Sequence, residues 1–443
     1  MLFTTDKQTL DDLNIFGRHG GDSIYQIFNR CVTRGGAAIL EEMFRYPLSD
    51  HNAINRRCTI IHSFVNSGTK FSFSIVHFDA IESYLANVDE RTRLTTENGS
   101  LGKKISNMVA MDAETVQIHK GIQATVALLQ ETQRFIVSLV LPPGHLYNED
   151  KEKMVAILAE PFCLPVLEAT GKLSQASLVA FDTAFRFRHR PLLQKLLQYL
   201  YQLDVYLSIA VVATERGFSF PRALPHNQQV LMLQGVYHPQ VKQAVPNTLE
   251  ITPAGNVLFL TGANMAGKST FMKSVSIALF LAHMGLPVPA GKMEFAVMDG
   301  IYTTINLPDN LGMGASHFYA EVLRVKKMAH ELGMGKKLFI VFDELFRGTN
   351  VKDAYEATIA VTEGFASRND SMFIISTHII EAGDVLGERC SNISFIYLPT
   401  RMNGNHPVYT YQLEQGITAD RHGMVIIQNE GILDILEQGK KTS

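Results

Sequence analysis

Residues 262–270 read GANMAGKST, a match to GxxxxGK[ST], and they lie between a short apolar run, VLFLT (Val257–Thr261), and a helical stretch from Ser269. A strand that turns through such a loop into a helix demands an α/β layer structure, with the loop at the C-terminal end of a sheet strand. Gly262 and Gly267 let the backbone curl so that successive N–H groups face a phosphate, and the helix N-terminus adds its dipole. Ala263, Asn264, Met265, Ala266 and Thr270 complete the loop. Lys268 is placed to neutralise β- and γ-oxygens, and the Ser269 hydroxyl to ligate magnesium. The expected ligands are ATP and Mg2+.

Two further apolar runs, Lys337–Phe342 (KLFIVF) and Met372–Thr377 (MFIIST), read as strands buried on both faces. The first ends in Asp343 and Glu344. Asp343 is expected to hold magnesium through its water shell and Glu344 to orient and deprotonate the attacking water, the division of labour that hydrolysis requires. Acidic pairs are commonly solvated loop charges, a reading that the preceding apolar residues oppose. The second run ends in Ser376-Thr377-His378. On these residues alone His378 is either a contact to the γ-phosphate or the attacking water, or a structural imidazole.

Upstream the texture differs. From Asp22 to about Leu224 apolar residues recur three and four apart (Ile24, Ile27, Phe28, Cys31; Ile39, Leu40, Met43), which predicts an all-α region. Breaks are expected at Gly35-Gly36, Pro47, Pro142-Pro143-Gly144 and Pro161. Pro191–Glu215 predicts one long helix opened by a proline. The segment after Arg216, GFSFPRALPHNQQ, reads as a linker.

The chain has 443 residues, is 46% hydrophobic and carries a net charge of -3, so it is globular and shows no overall bias toward nucleic acid. Arg186, Arg188 and Arg190 in FRFRHR are the best local basic cluster; they form either a nucleic-acid patch or a solvated helix face whose Arg stems cover apolar neighbours. Cys31, Cys58, Cys163 and Cys390 are scattered without a CxxC pair, which argues against a zinc site and a disulfide framework and fits a reducing cytoplasm. The N-terminus lacks the features of a secretory signal, and SVSIALFLAHMGL from Ser274 falls short of the roughly 20 residues that span a bilayer. No membrane partner is expected.

The residues together resemble the MutS family of DNA mismatch-repair ATPases. TGANMAGKSTFMK is similar to that family's TGPNMGGKST, with Ala263 and Ala266 in place of proline and glycine, and Asp343–Asn350 (DELFRGTN) is similar to DEIGRGTS. Gly314–Glu321 (GASHFYAE) resembles SxFxxE, which implies that Ser316 reaches a partner's γ-phosphate across a homodimer. Ser376-Thr377-His378 resembles the ATH switch and implies the functional role for His378. Gly235–Pro239 (GVYHP) resembles the GRHP entry to the ATPase domain, with Tyr237 where arginine is usual. Thr33–Leu48 and the helix through Tyr199–Ala213 resemble the core and lever helices.

The resemblance implies a helical core/lever domain over 1–224 and an α/β P-loop ATPase domain of the ABC type over 225–443, with a largely parallel sheet and a C-terminal dimerisation segment. Departures are expected to matter. Neither the mismatch-reading domain, a DNA clamp between about Phe73 and Arg190, nor a C-terminal nuclease domain is found. No aromatic residue stands among Lys242–Pro246, and Tyr411 falls where a histidine caps the adenine; it either stacks on the base or is an ordinary strand residue in PVYTYQL. The implied function is ATP hydrolysis at a composite dimer site coupled to mismatched, damaged or branched DNA. The alternative is a nucleotide-switched protein that acts on a protein or structured-RNA partner. A transporter-type ATPase is more distant, because LSGGQ is missing.

Overall fold

A computed structural model describes residues 3–17, 22–65, 67–95, 108–305, 317–403 and 406–418, with residues 431, 432, 435 and 436. By packing, the chain forms two compact units. One comprises Met1–Phe28, Met43–Cys58 and Val212–Ser443, and the other Asn29–Glu42 and Thr59–Val211. The sheet-bearing unit thus takes in more than the C-terminal segment from residue 225, because two N-terminal stretches pack with it.

The helices are α1 (Lys7–Asp12), α2 (Ile24–Phe28), α3 (Arg34–Arg45), α4 (His51–Val65), α5 (Ile75–Ala86), α6 (Met108–Ser138), α7 (Asn148–Leu158), α8 (Leu164–Leu167), α9 (Gln175–Asp182), α10 (Arg190–Arg216), α11 (Lys268–His283), α12 (His317–Gly333), α13 (Val351–Ala366) and α14 (Glu381–Arg389). The helical unit is built from α5 to α9, with parts of α3, α4 and α10. Helix α10 follows the proline-led pattern of its sequence. It is long and apolar enough to cross a membrane, but 78% of its most apolar window is buried within the protein, as a core helix requires.

Two expectations fail here for reasons of close packing. Gly35 and Gly36 do not break a helix but lie in the first turn of α3, where a Cβ on Gly35 would stand 2.4 Å from the Tyr201 ring and one on Gly36 2.5 Å from Asp204 Oδ2. The Asp204 carboxylate accepts hydrogen bonds from the Val32 and Thr33 N–H groups (3.1 and 2.8 Å) and from the Thr33 hydroxyl (2.6 Å), and Thr33 Oγ1 accepts from the Gly36 N–H. These bonds satisfy N–H groups that a helix start leaves without partners.

Nor is FRFRHR a surface cluster. Arg186 is 2% exposed, in a π-helical turn over Thr183–Arg188. Its guanidinium donates to both Asp182 carboxylate oxygens (2.6 and 2.7 Å), to Thr92 Oγ1 and O, and to Asn87 O. Asp182 also accepts from the Tyr84 hydroxyl and the Leu94 N–H. Every partner of this buried pair is thus committed inside the helical unit, and Arg186 cannot reach a nucleic-acid phosphate or cover a solvated face. Only Arg188 of the three is exposed.

The other unit carries two larger sheets. Strands β1 (Arg222–Leu224), β2 (Leu231–Val236), β3 (Asn247–Ile251) and β5 (Lys292–Ala296) pair in the order β1-β5-β2-β3. The segment after Arg216 that reads as a linker thus includes a strand of this sheet. Strands β4 (Val257–Gly262), β6 (Gly300–Thr304), β7 (Leu338–Phe342), β8 (Met372–Ser376), β9 (Ile393–Leu398) and β12 (Glu414–Gln415) pair in the order β12-β9-β4-β8-β7-β6. All these neighbours run parallel except the short edge strand β12. Strands β10 (Thr400–Asn403) and β11 (His406–Tyr409) form a separate hairpin. Every residue of β4, β7 and β8 is buried, and Phe342, Phe365 and Phe373 stack at 5.6 and 4.9 Å beneath the sheet.

The N-terminal segment closes the far edge of this sheet. Thr4 donates to Asp299 O (2.8 Å) and accepts from the Ile301 N–H (3.1 Å), so it bridges to β6 in parallel, and Gly300 has no room for a Cβ, which would lie 2.4 Å from Thr4 O. Asp12 accepts from the Thr303 hydroxyl and the Ile305 N–H, and Asp6 pairs with Arg324 and Lys327 of α12. Burial opposes ionisation of Asp6, but these cations and their hydrogen bonds hold its carboxyl far below the usual range.

His283 is fully buried at the end of α11. Leu48 O can only accept, so Nδ1 carries the proton (2.9 Å), and Nε2 accepts from the Met298 N–H (3.4 Å). Burial pushes its pKa down to about 4 from 6.5, against the pull of Leu48 O and Asp299. The unfolded chain therefore takes up a proton between these values that the folded chain refuses, so stability present above pH 6.5 is lost as pH falls toward 4. Complete titration of this site is expected to cost roughly 3 kcal/mol. Urea unfolding at stepped pH should show the loss in the wild type and a shallower slope in His283→Leu; equal slopes would rule it out.

Candidate functional site

Parallel pairing brings four strand ends to one edge of the sheet. Leu260 of β4 is in register with Ser376 of β8, Phe342 of β7 with Ile375 of β8, and Gly262 with Leu398 of β9. The residues that follow these strands must therefore emerge side by side, at the crevice where open α/β sheets bind ligands.

After β4 the chain turns through Gly262 (φ +148), Met265 (φ +70) and Gly267 (φ +98) into α11. A Cβ on Gly262 would lie 3.2 Å from Leu398 O, so both backbone angle and space call for glycine. Met265 adopts the left-handed region with its side chain 75% exposed. Lys268 is buried, and its ammonium donates to Gly262 O (2.9 Å) and Ala263 O (3.2 Å). Burial pushes its pKa down, with Asp343 and Glu344 pulling the other way. The cation is thus held inside the loop, on the side of the acidic pair.

The Ser269 hydroxyl donates to Asp343 Oδ2 at 2.5 Å. Asp343 Oδ1 is buried without a hydrogen-bond donor at bonding geometry, and burial raises the carboxyl's pKa despite the nearby Ser269 and Ser376 hydroxyls. A buried carboxylate oxygen with nothing bound to it, beside a serine hydroxyl, is a hard-oxygen pair that suits a divalent cation such as magnesium. Ser269 and Asp343 could hold one.

Glu344 adopts φ +53 and Phe346 φ +63, with Leu345 and Phe346 buried. The turn leaves Glu344 half-buried and anchored at both oxygens: its Oε1 accepts from His378 Nε2 and its Oε2 from Arg347 Nη1, both at 2.7 Å. Burial alone would raise its pKa, but the bonds from Arg347 and His378 outweigh burial and hold Glu344 below its ordinary value. Glu344 is therefore an oriented carboxylate that stays ionised. Arg347 has no assigned role in the sequence reading; its spacing of three residues from Glu344 was the available signal.

Lys268, Ser269 and Glu344 border a cleft of about 620 Å3, lined also by residues 263–267, Thr270, Phe271, Ser274, Leu398, Tyr411 and the segment from Val241 to Val245. Asn264, Ala266, Gly267 and Thr270 all line it. Tyr411 sits across the loop, with its ring 3.0 Å from the place of a Cβ on Gly267. His238, of GVYHP, also lines the cleft; burial and Lys273 hold its pKa down to about 4. Ser316 lies outside the described residues. Gly267→Ala should lose about 1–2 kcal/mol of stability from the left-handed backbone alone, and more from the Tyr411 contact; an unchanged denaturation midpoint would contradict the geometry.

Comparison with protein families adds an independent line. A model of MutS domain III matches residues 8–210, and a model of MutS domain V matches residues 258–442. The second match contains the phosphate-type loop, the acidic pair and His378. Between them the two matches cover most of the sequence in the order helical region, then sheet region, and the chain belongs to the MutS family.

Proposed function

We propose that this chain is a MutS-like ATPase of DNA repair, in which ATP hydrolysis at this cleft is coupled to binding of mismatched, damaged or branched DNA. The observation that carries the reading is the convergence of Lys268, Ser269 and the doubly anchored Glu344 on one cleft, with Asp343 bonded to Ser269. Lys268 and the loop N–H groups bind the triphosphate. Ser269 and Asp343 hold magnesium, which when bound neutralises charge on the phosphate oxygens. Glu344 orients water and takes its proton, and His378 and Arg347 fix the carboxylate that does so.

In this reading Ser316 comes from a second copy of the chain, so hydrolysis depends on closure of a homodimer. Glu344→Gln should bind ATP with an affinity within a few-fold of wild type and lose hydrolysis by about 10²–10⁴-fold. Normal turnover in that variant would remove the assignment of the base.

Of the alternative partners, a protein or a structured RNA, the protein is favoured by one observation: the best basic cluster of the helical region has Arg186 sealed in an internal ion pair. Rates of ATP hydrolysis without DNA and with homoduplex, mismatched or branched DNA separate the two. Stimulation by at least one DNA, declining with salt, is expected; the same rate in all four conditions would favour the other partner.

A further inference from the structure

The two sides of the cleft away from the acidic pair are joined by one side chain. Asn247, at the start of β3 and 9% exposed, donates from Nδ2 to Tyr411 O (2.9 Å) and to Val245 O (3.3 Å), while its Oδ1 accepts from the Leu413 N–H (2.8 Å). A single amide thus takes the place of a strand pair between segments 164 and 166 residues away and the wall at Val245.

Tyr411 needs such support. It lies outside the hairpin, it adopts φ +55, and the residue is 46% exposed, with its ring over the loop glycine Gly267. A non-glycine residue held in the left-handed region costs of the order of a kcal/mol and persists only where its surroundings impose it. The segment Val241-Lys242-Gln243-Ala244-Val245 on the cleft wall contains no aromatic ring, the Phe271 ring is buried in α11, and the His238 imidazole is half-buried. Among the described residues at the cleft, Tyr411 presents the one exposed aromatic ring to a planar base.

We propose that Asn247 is a positioning residue that fixes Tyr411 as a one-sided stacking platform for the base of the bound nucleoside triphosphate. The inference rests on the ATP-binding part of the function proposed above. It adds how the base end of the cleft is held: by backbone bonds from a residue that need not touch the nucleotide. The phosphate end is bound separately, through Lys268 and the loop, so a fault at Asn247 reaches only ligands that carry a base.

The test is calorimetric binding of ATP and of inorganic tripolyphosphate, which has no base, to the full chain. Wild type should bind ATP more tightly than tripolyphosphate. Asn247→Leu, close in size but unable to bond either segment, should weaken ATP about 10-fold, the scale of one stacked base, and leave tripolyphosphate within twofold. Tyr411→Ala should do the same, Tyr411→Phe should resemble wild type, and the double variant Asn247→Leu/Tyr411→Ala should be no weaker than Tyr411→Ala alone. Equal weakening of both ligands by Asn247→Leu, additive losses in the double variant, or equal wild-type affinity for both ligands would each overturn the proposal. A wild type that binds ATP in this pattern without hydrolysing it would sink the ATPase reading and leave the role of Asn247 standing.

Discussion

Everything in the candidate site depends on strands that run the same way. Because β4, β7 and β8 pair in parallel, their C-terminal ends share an edge, and residues as distant as Lys268, Asp343 and His378 meet there with no further device. Parallel sheets need both faces covered, and the complete burial of these three strands is what holds that edge in place. The chemistry sits on turns, but the strands beneath them set the distances.

Those turns carry more backbone strain than the rest of the sheet-bearing unit would suggest. Met265, Glu344, Phe346 and Tyr411 all take left-handed conformations that side chains disfavour, and all lie in or next to the cleft. Glu344 shows how such a conformation is maintained. The two residues that follow it, Leu345 and Phe346, are buried, and its carboxylate is bonded at both oxygens. Packing on one side and ion pairing on the other leave the backbone no cheaper alternative.

Much of this was legible because local patterns carried it. The loop GANMAGKST, the apolar runs that end in Asp343 and Thr377, and the helix from Pro191 each announce themselves within a dozen residues. What was hidden depends on partners far along the chain. Nothing near Arg186 reveals that Thr92 and Asn87 will enclose it, so an alternating Arg/Phe run looked like surface. Gly35 and Gly36 looked like a break because the sequence does not show that Tyr201 and Asp204 will pass so near. Asn247, the first residue of β3, gains its importance only through Tyr411 and Leu413.

The bridge between Thr4 and Gly300 has a consequence for the order of assembly. Thr4 and Asp299 are 295 positions apart, so during synthesis the first segment of the chain must wait for its strand until most of the sequence has left the ribosome. The helical unit, whose residues lie between Asn29 and Val211, has all its partners much earlier. The sheet-bearing unit is therefore the last to close, and until Thr4 docks β6 presents a bare edge of the kind that recruits other chains. A fragment begun at the apparent linker after Arg216 would keep that edge permanently open, however complete its nucleotide motifs.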